Sequence, residues 1–222
     1  MRLFLDSANL DEIRRAHRLG VIDGVTTNPS LFAKVGGSYE TLLAEICTIV
    51  SGPVSAEVIA DDADGMVAEG RAFARIAPNI VVKVPISAEG LAAISRLASE
   101  GIATNCTLIF SANQGLLAAR AGATLLSPFV GRLDDSGGDG IDLIRELAEL
   151  LARDESLDHA ELLAASIRSP RQVTEVALAG ADVATPPFAV LEQLIHHPLT
   201  EAGIARFKTD WAAATAPRPR SR

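Results

Sequence analysis

The order of apolar segments in this chain predicts one α/β domain, a closed parallel (β/α)8 TIM barrel with an extra C-terminal helix. Short β-branched runs alternate with longer amphipathic stretches through about eight units between Leu3 and Ile195. Runs such as Ile80-Val81-Val82-Lys83-Val84 are apolar without polar alternation, as in a parallel strand buried on both faces. No GxGxxG follows any strand, which ranks an open doubly wound sheet second. With 222 residues the chain can bury one full core, at the short end for such a barrel.

The units run in order. Leu3 to Leu5 precedes a helix from about Leu10 to Leu19, and Val21 to Thr26 precedes one from Tyr39 to Val50. Val54 to Val58 leads to Ala63 through Ile76, and Ile80 to Val84 leads to Glu89 through Glu100. Ala103 to Thr107 is followed by Asn113 to Ala121, and Thr124 to Phe129 by Ile141 to Ala152. The glycine-rich Gly137-Gly138-Asp139-Gly140 lacks the Lys-Ser/Thr of a P-loop and reads as a flexible turn before a helix. Leu162 to Ala165 precedes Pro170 to Leu178, and Asp182 to Ala184 precedes Phe188 to Ile195. His196-His197-Pro198 reads as a helix terminus, where cations suit the dipole. A last amphipathic stretch, Glu201 to Ala214, carries Ile204, Phe207, Lys208 and Trp211 and needs a surface to cover. The domain is expected over residues 1–215, with 216–222 a disordered, Pro/Arg-rich basic tail.

Composition excludes several function classes. A net charge of −8 argues against a general nucleic-acid binder, so no nucleic-acid partner is expected. No apolar run approaches the ~20 residues of a membrane span, and no leader pattern opens the chain, so no membrane partner and a cytoplasmic location are expected. Aromatics make up 4%, which leaves Ala, Leu, Val and Ile to fill the interior. Cys47 and Cys106 form no CxxC and read as packing residues. The four histidines show no metal-ligand spacing.

The chemistry is carried by charges in the wrong place for a strand. Lys83 lies inside one of the most apolar runs of the chain, and Glu57 is as awkwardly placed in Val54-Ser55-Ala56-Glu57-Val58-Ile59. An amine kept from water is a nucleophile, and its natural partner is a carbonyl, giving a Schiff base. In a parallel barrel the carboxyl ends of all strands meet on one face, where active sites form. The residues at those ends are Asp6, Thr26 to Asn28, Glu57, Lys83, Asn105 and Thr107, Ser127 with nearby Arg132, Ser166 with Arg168, and Thr185. Turn and cap chemistry accounts for many of these, but not for Lys83 and Glu57. Two carboxylates and one amine make a carbonyl site with acid–base partners. Arg132, Ser166 and Arg168 fall late in the barrel, where phosphate is often bound, and favour a phosphorylated substrate.

Two segments, Gly24-Val25-Thr26-Thr27-Asn28-Pro29-Ser30 and Ile80-Val81-Val82-Lys83-Val84-Pro85-Ile86-Ser87-Ala88-Glu89-Gly90-Leu91, resemble the two signatures of transaldolases. The resemblance runs from about Leu3 to Trp211, and the length resembles the small-subunit branch that also contains fructose-6-phosphate aldolases. It implies transfer of a dihydroxyacetone unit between sugar phosphates, as in the pentose phosphate pathway, without metal or cofactor. On that pattern Lys83 resembles the Schiff-base lysine and Asp6 the group taking the C4 hydroxyl proton as the C3–C4 bond breaks. Glu57 and Thr107 resemble the pair that positions water during imine formation. Asn28, Asn105 and Ser127 resemble the ligands of the dihydroxyacetone hydroxyls, with Thr26 and Phe129 beside them. Arg132, Ser166 and Arg168 resemble the phosphate site.

The aldolase branch typically has Gln and Tyr where this chain has Glu57 and Phe129. Phenylalanine has no hydroxyl to hold a hydrolytic water, so the resemblance favours a transaldolase over an aldolase. A non-catalytic barrel binding sugar phosphates is the alternative of another class, disfavoured by the cost of burying Lys83 and Glu57. The resemblance also implies a large homo-oligomer, often a decamer.

Overall fold

The computed structural model describes residues 1–216; the expected basic tail lies, from residue 217 onward, outside the described residues. Eight parallel strands close into a barrel in sequence order. They are β1 (Arg2–Asp6), β2 (Gly24–Thr26), β3 (Val54–Glu57), β4 (Ile80–Pro85), β5 (Thr104–Ile109), β6 (Leu125–Pro128), β7 (Glu161–Ala164) and β8 (Val183–Ala184). Helices between them are α1 (Leu10–Arg18), α2 (Pro29–Val35), α3 (Tyr39–Ile49), α4 (Ala63–Ala74), α5 (Ala88–Ser99) and α6 (Ala112–Arg120). The later half adds α7 (Val130–Asp135), α8 (Gly140–Ala152), α9 (Pro170–Ala179), α10 (Phe188–Gln193) and the terminal α11 (Pro198–Thr215).

Strand periodicity divides the interior into two cores. Leu5, Val25, Val54, Ala56, Val82, Val84, Cys106, Leu126, Leu162, Ala164 and Ala184 belong to the large apolar cluster shared with the helices. The alternate positions Phe4, Val81, Leu125, Leu163 and Val183 form a second, smaller cluster that plugs the barrel. Continuing four of the five inward rows two residues further brings polar side chains: Asp6 after Phe4, Lys83 after Val81, Ser127 after Leu125 and Thr185 after Val183, while the Leu163 row ends in the apolar Ala165. The site is therefore the continuation of the plug, at the carboxyl ends of the strands. Gly24 lets the plug fill, because a Cβ there would sit 2.9 Å from the Phe4 ring.

The eight expected units are all present, and two connections hold more structure than expected. Thr-Thr-Asn-Pro reads as a turn, but Asn28 caps the short α2, its Oδ1 accepting from the Leu31 amide at 2.9 Å, with Pro29 at the first helical position. Phe129 leads into α7 ahead of the expected glycine-rich turn. The His196-His197 expectation is corrected. The pair does mark a helix terminus, but His197 caps the N-terminus of α11, its Nδ1 accepting from the Leu199 amide at 3.1 Å, rather than closing a helix C-terminus.

Candidate active site

Register places the charged groups side by side. Asp6 pairs with Thr26 across β1 and β2, and the Thr26 hydroxyl donates to Asp6 Oδ1 at 2.8 Å. Thr185 lies 2.7 Å from the same Thr26 oxygen. Glu57 pairs with Lys83 across β3 and β4, and Lys83 pairs with Asn105 across β4 and β5. The Lys83 side chain is 5% exposed; its Nζ lies 3.0 Å from Glu57 Oε2 and donates to the Thr27 carbonyl at 3.1 Å. The amine is thus buried but not unpaired, and Glu57 is within direct proton-transfer reach of it. Asn105 is held by Ser127, which donates to its Oδ1 at 2.7 Å, while its Nδ2 donates to Ser55 at 3.1 Å. Thr107 is fully buried, and its hydroxyl has no partner among the described residues.

A cavity of about 90 Å³ opens at this end of the barrel. Of the sequence-derived residues, Asp6, Thr26, Asn28, Lys83, Ser127, Phe129, Arg132, Ser166 and Thr185 line it. Glu57, Asn105 and Thr107 are not in its wall; Glu57 reaches it through Lys83, and Asn105 through Ser127. Arg168 stands apart, exposed and paired with Asp135, its Nη1 donating to Oδ1 at 2.8 Å. Arg132 forms no ion pair among the described residues, and its guanidinium lies 4.9 Å from the centre of the Phe129 ring. Larger clefts exist, such as one of about 500 Å³ by Asp139, Asp142 and Glu175, but they hold none of the strand-end set.

The wall by Arg132 is shaped by backbone. Ser166 adopts a left-handed conformation, φ 58°, and its carbonyl accepts the Gly131 amide at 3.0 Å. A Cβ on Gly131 would come 2.4 Å from that carbonyl and 2.8 Å from Arg168 Nε, so the approach of α7 to this loop requires glycine.

Burial pushes the Asp6 carboxyl above its usual range, against the pull of Lys83 and of the Thr26 hydrogen bond, with Glu57 adding to the rise. Burial also raises the Cys106 thiol to about 12, which keeps it protonated and inert in the outer core, away from the cavity wall. Among the described residues no cluster of three His, Cys, Asp or Glu could hold a metal ion, and no helix is long and apolar enough to cross a membrane.

The family model for transaldolase/fructose-6-phosphate aldolase matches residues 3 to 217. The chain belongs to that family. It is 63% identical over 211 residues to a "probable transaldolase" of Heliobacterium modesticaldum, covering 95% of this chain and 97% of that one. A Roseiflexus sp. protein of the same description is 59% identical over 214 residues, covering 96% and 98%. A "probable transaldolase 1" of Listeria monocytogenes is 55% identical over 214 residues, covering 96% and 99%. The crystal structure of a candidate fructose-1,6-biphosphate aldolase from Coccidioides immitis superposes with a TM-score of 0.55 at 15% identity, over 83% of this chain and 72% of that one. That likeness concerns the barrel alone.

Two residues hydrogen-bonded to the strand-end set carry no sequence signal, Ser55 through Asn105 and Tyr39 through the Glu57 amide. Ser55 faces Asn105 from β3, yet a small serine in a strand carries no signal. Tyr39 lies at the start of a helix, outside the strand-end pattern.

Proposed function

We propose that the protein is a transaldolase that moves a dihydroxyacetone unit from fructose 6-phosphate to erythrose 4-phosphate through a Schiff base on Lys83. The single observation carrying this reading is a buried amine 3.0 Å from a carboxylate, inside a barrel of the transaldolase/fructose-6-phosphate aldolase family. Relatives at 55% to 63% identity carry the transaldolase name, which favours it over the aldolase alternative.

In this reading the Lys83 amine attacks the C2 carbonyl, and loss of water from the carbinolamine gives an iminium. Glu57 and Thr107 position that water, which suits a Thr107 hydroxyl with no protein partner. The C3–C4 bond then breaks. Its electron pair flows toward the iminium nitrogen to form an enamine, the C4 hydroxyl proton passes to Asp6, and glyceraldehyde 3-phosphate departs. The enamine adds to the aldehyde carbon of erythrose 4-phosphate while Asp6 returns a proton, and hydrolysis of the new imine releases sedoheptulose 7-phosphate and the free amine. A group whose pKa burial has raised suits this exchange of one proton in each direction.

The cavity of about 90 Å³ is small, which suits a three-carbon fragment held by Asn28, Asn105 and Ser127 better than a whole sugar phosphate. The phosphate then extends over the rim toward Ser166, Arg132 and Arg168, the last exchanging its Asp135 partner for the ligand. Phe129 contributes a wall without a hydroxyl, so the enamine survives until an acceptor arrives. In this reading the enzyme works in the cytoplasm as a homo-oligomer, a decamer on the family pattern, through the apolar side chains that α11 leaves exposed.

Acceptor dependence tests the function. Fructose 6-phosphate should be consumed at least about tenfold faster with erythrose 4-phosphate present, a separation of about 1.4 kcal/mol in barrier. Release of free dihydroxyacetone at the same rate without acceptor would make the protein an aldolase.

A further inference from the structure

We infer that Tyr39 is a positioning residue for Lys83, its phenol replacing the last rung of the β2–β3 ladder and so leaving the Thr27 carbonyl to the amine. The inference rests on the Schiff-base reading above and extends it to a residue outside the cavity wall.

In a parallel pair the amide bonds recur at every second residue along each strand. The Val25 amide donates to the Pro53 carbonyl at 2.9 Å, and the Thr27 amide to the Ser55 carbonyl at 3.2 Å. The next bond of that pattern would run from the Glu57 amide to the Thr27 carbonyl. It is not made. The Glu57 amide donates instead to Tyr39 Oη at 3.0 Å, and the Thr27 carbonyl accepts from Lys83 Nζ at 3.1 Å. The phenol and the amine each occupy one half of the missing rung.

The phenol's own hydrogen is also placed. The Thr27 hydroxyl donates to the Ser55 carbonyl at 2.8 Å, so its oxygen accepts from Tyr39 Oη, also at 2.8 Å. One hydroxyl therefore holds the backbone of Glu57 and the side chain of Thr27, and each of those residues contacts Lys83 Nζ. Burial pushes the Tyr39 pKa upward, so the phenol keeps its donor hydrogen through the working range. The ring is packed at 5.0 Å from Phe32 and edge-on at 5.5 Å from Phe73. The chain's single tyrosine starts α3 directly after Ser38, whose hydroxyl accepts from the Thr41 amide and fixes the helix start.

Tyr39→Phe keeps the ring and removes the oxygen. The ladder pattern then offers the Glu57 amide the Thr27 carbonyl, and closing that rung would compete with Lys83 and shift Glu57 away from the amine. The test is the rate of borohydride-trappable adduct formation with fructose 6-phosphate, per folded molecule, beside kcat, KM and Tm. Tyr39→Phe should lower the trapping rate and kcat by ~10-fold to 100-fold, the scale of a misplaced catalytic group, with KM changed less than about threefold. A purely structural tyrosine would lower Tm and leave the trapping rate of folded protein unchanged, and a trapping rate within about twofold of wild type overturns the inference. If Tyr39→Phe does not fold, Thr27→Val reads the same network, because it removes the hydroxyl that holds the phenol and keeps the carbonyl. It should slow trapping about threefold to tenfold, and a wild-type rate overturns the inference equally. Absence of adduct in the wild-type enzyme defeats the Schiff-base reading itself. Equal trapping by wild type and variants defeats the role of Tyr39 alone.

Discussion

Glu57 touches the Lys83 amine directly, whereas Asp6 is held by the Thr26 hydroxyl across β1 and β2. Asp6 has a pKa raised chiefly by burial. Below its unfolded value of 3.8 the carboxyl is neutral in both states, and its contribution to stability is complete. As pH rises past that value the unfolded chain ionises first, so stability is lost until the folded pKa is passed and the deficit becomes constant. Asp6→Asn removes the penalty. Its Tm relative to wild type should therefore be higher at pH 7 than at pH 4, while turnover falls by about 100-fold or more through loss of the proton acceptor. Thermal melts at both pH values check this, and an equal Tm difference at the two contradicts it. Lys83 and Glu57 were legible in the sequence because ionisable groups inside β-branched runs have no packing explanation. The partners that orient them were not. That Tyr39 meets Thr27 and Glu57 depends on the packing of α3 against two strands, which no spacing in the chain encodes.

At the scale of the element, strand alternation converts sequence into a site. The same rows that supply Phe4, Val81 and Leu125 to the plug supply Asp6, Lys83 and Ser127 above it. Long helices and buried strands were readable, because an apolar repeat needs two or three turns, or one unbroken run, to be seen. α2 and α7 have seven and six residues and are too short to show a period. Yet α7 shapes the wall that carries Arg132, since Gly131 packs against the left-handed Ser166. Gly131→Ala should push the Ser166 loop and Arg168 outward, at a cost of about 1–3 kcal/mol. The KM for fructose 6-phosphate should rise roughly tenfold, as a loss of about 1.4 kcal/mol in phosphate binding requires. Imine formation with unphosphorylated dihydroxyacetone should not change. Equal losses with both compounds would place the damage in the catalytic floor instead.

Over the whole molecule, closure of eight strands lets residues as distant in sequence as Asp6 and Arg132 line one small cavity. That assembly was legible as a repeat of strand and helix, and the strand ends account for most of the cavity's lining. What α11 covers was not legible. Leu199, Ile204, Phe207 and Trp211 are 51% to 76% exposed there, and the helix has no buried residue. Ile204, Phe207 and Trp211 follow helical spacing and share one face. Sedimentation should give a multiple of the 23.3 kDa chain mass, and Phe207→Glu with Trp211→Glu should lower it. A wild-type mass of one chain would contradict the homo-oligomer.

The most direct measurement is the mass of the peptide carrying Lys83 after incubation with fructose 6-phosphate and borohydride. A covalent three-carbon adduct on Lys83, lost in Lys83→Met, is the predicted result. An unmodified peptide from an enzyme that still turns over its substrates would contradict the Schiff-base account.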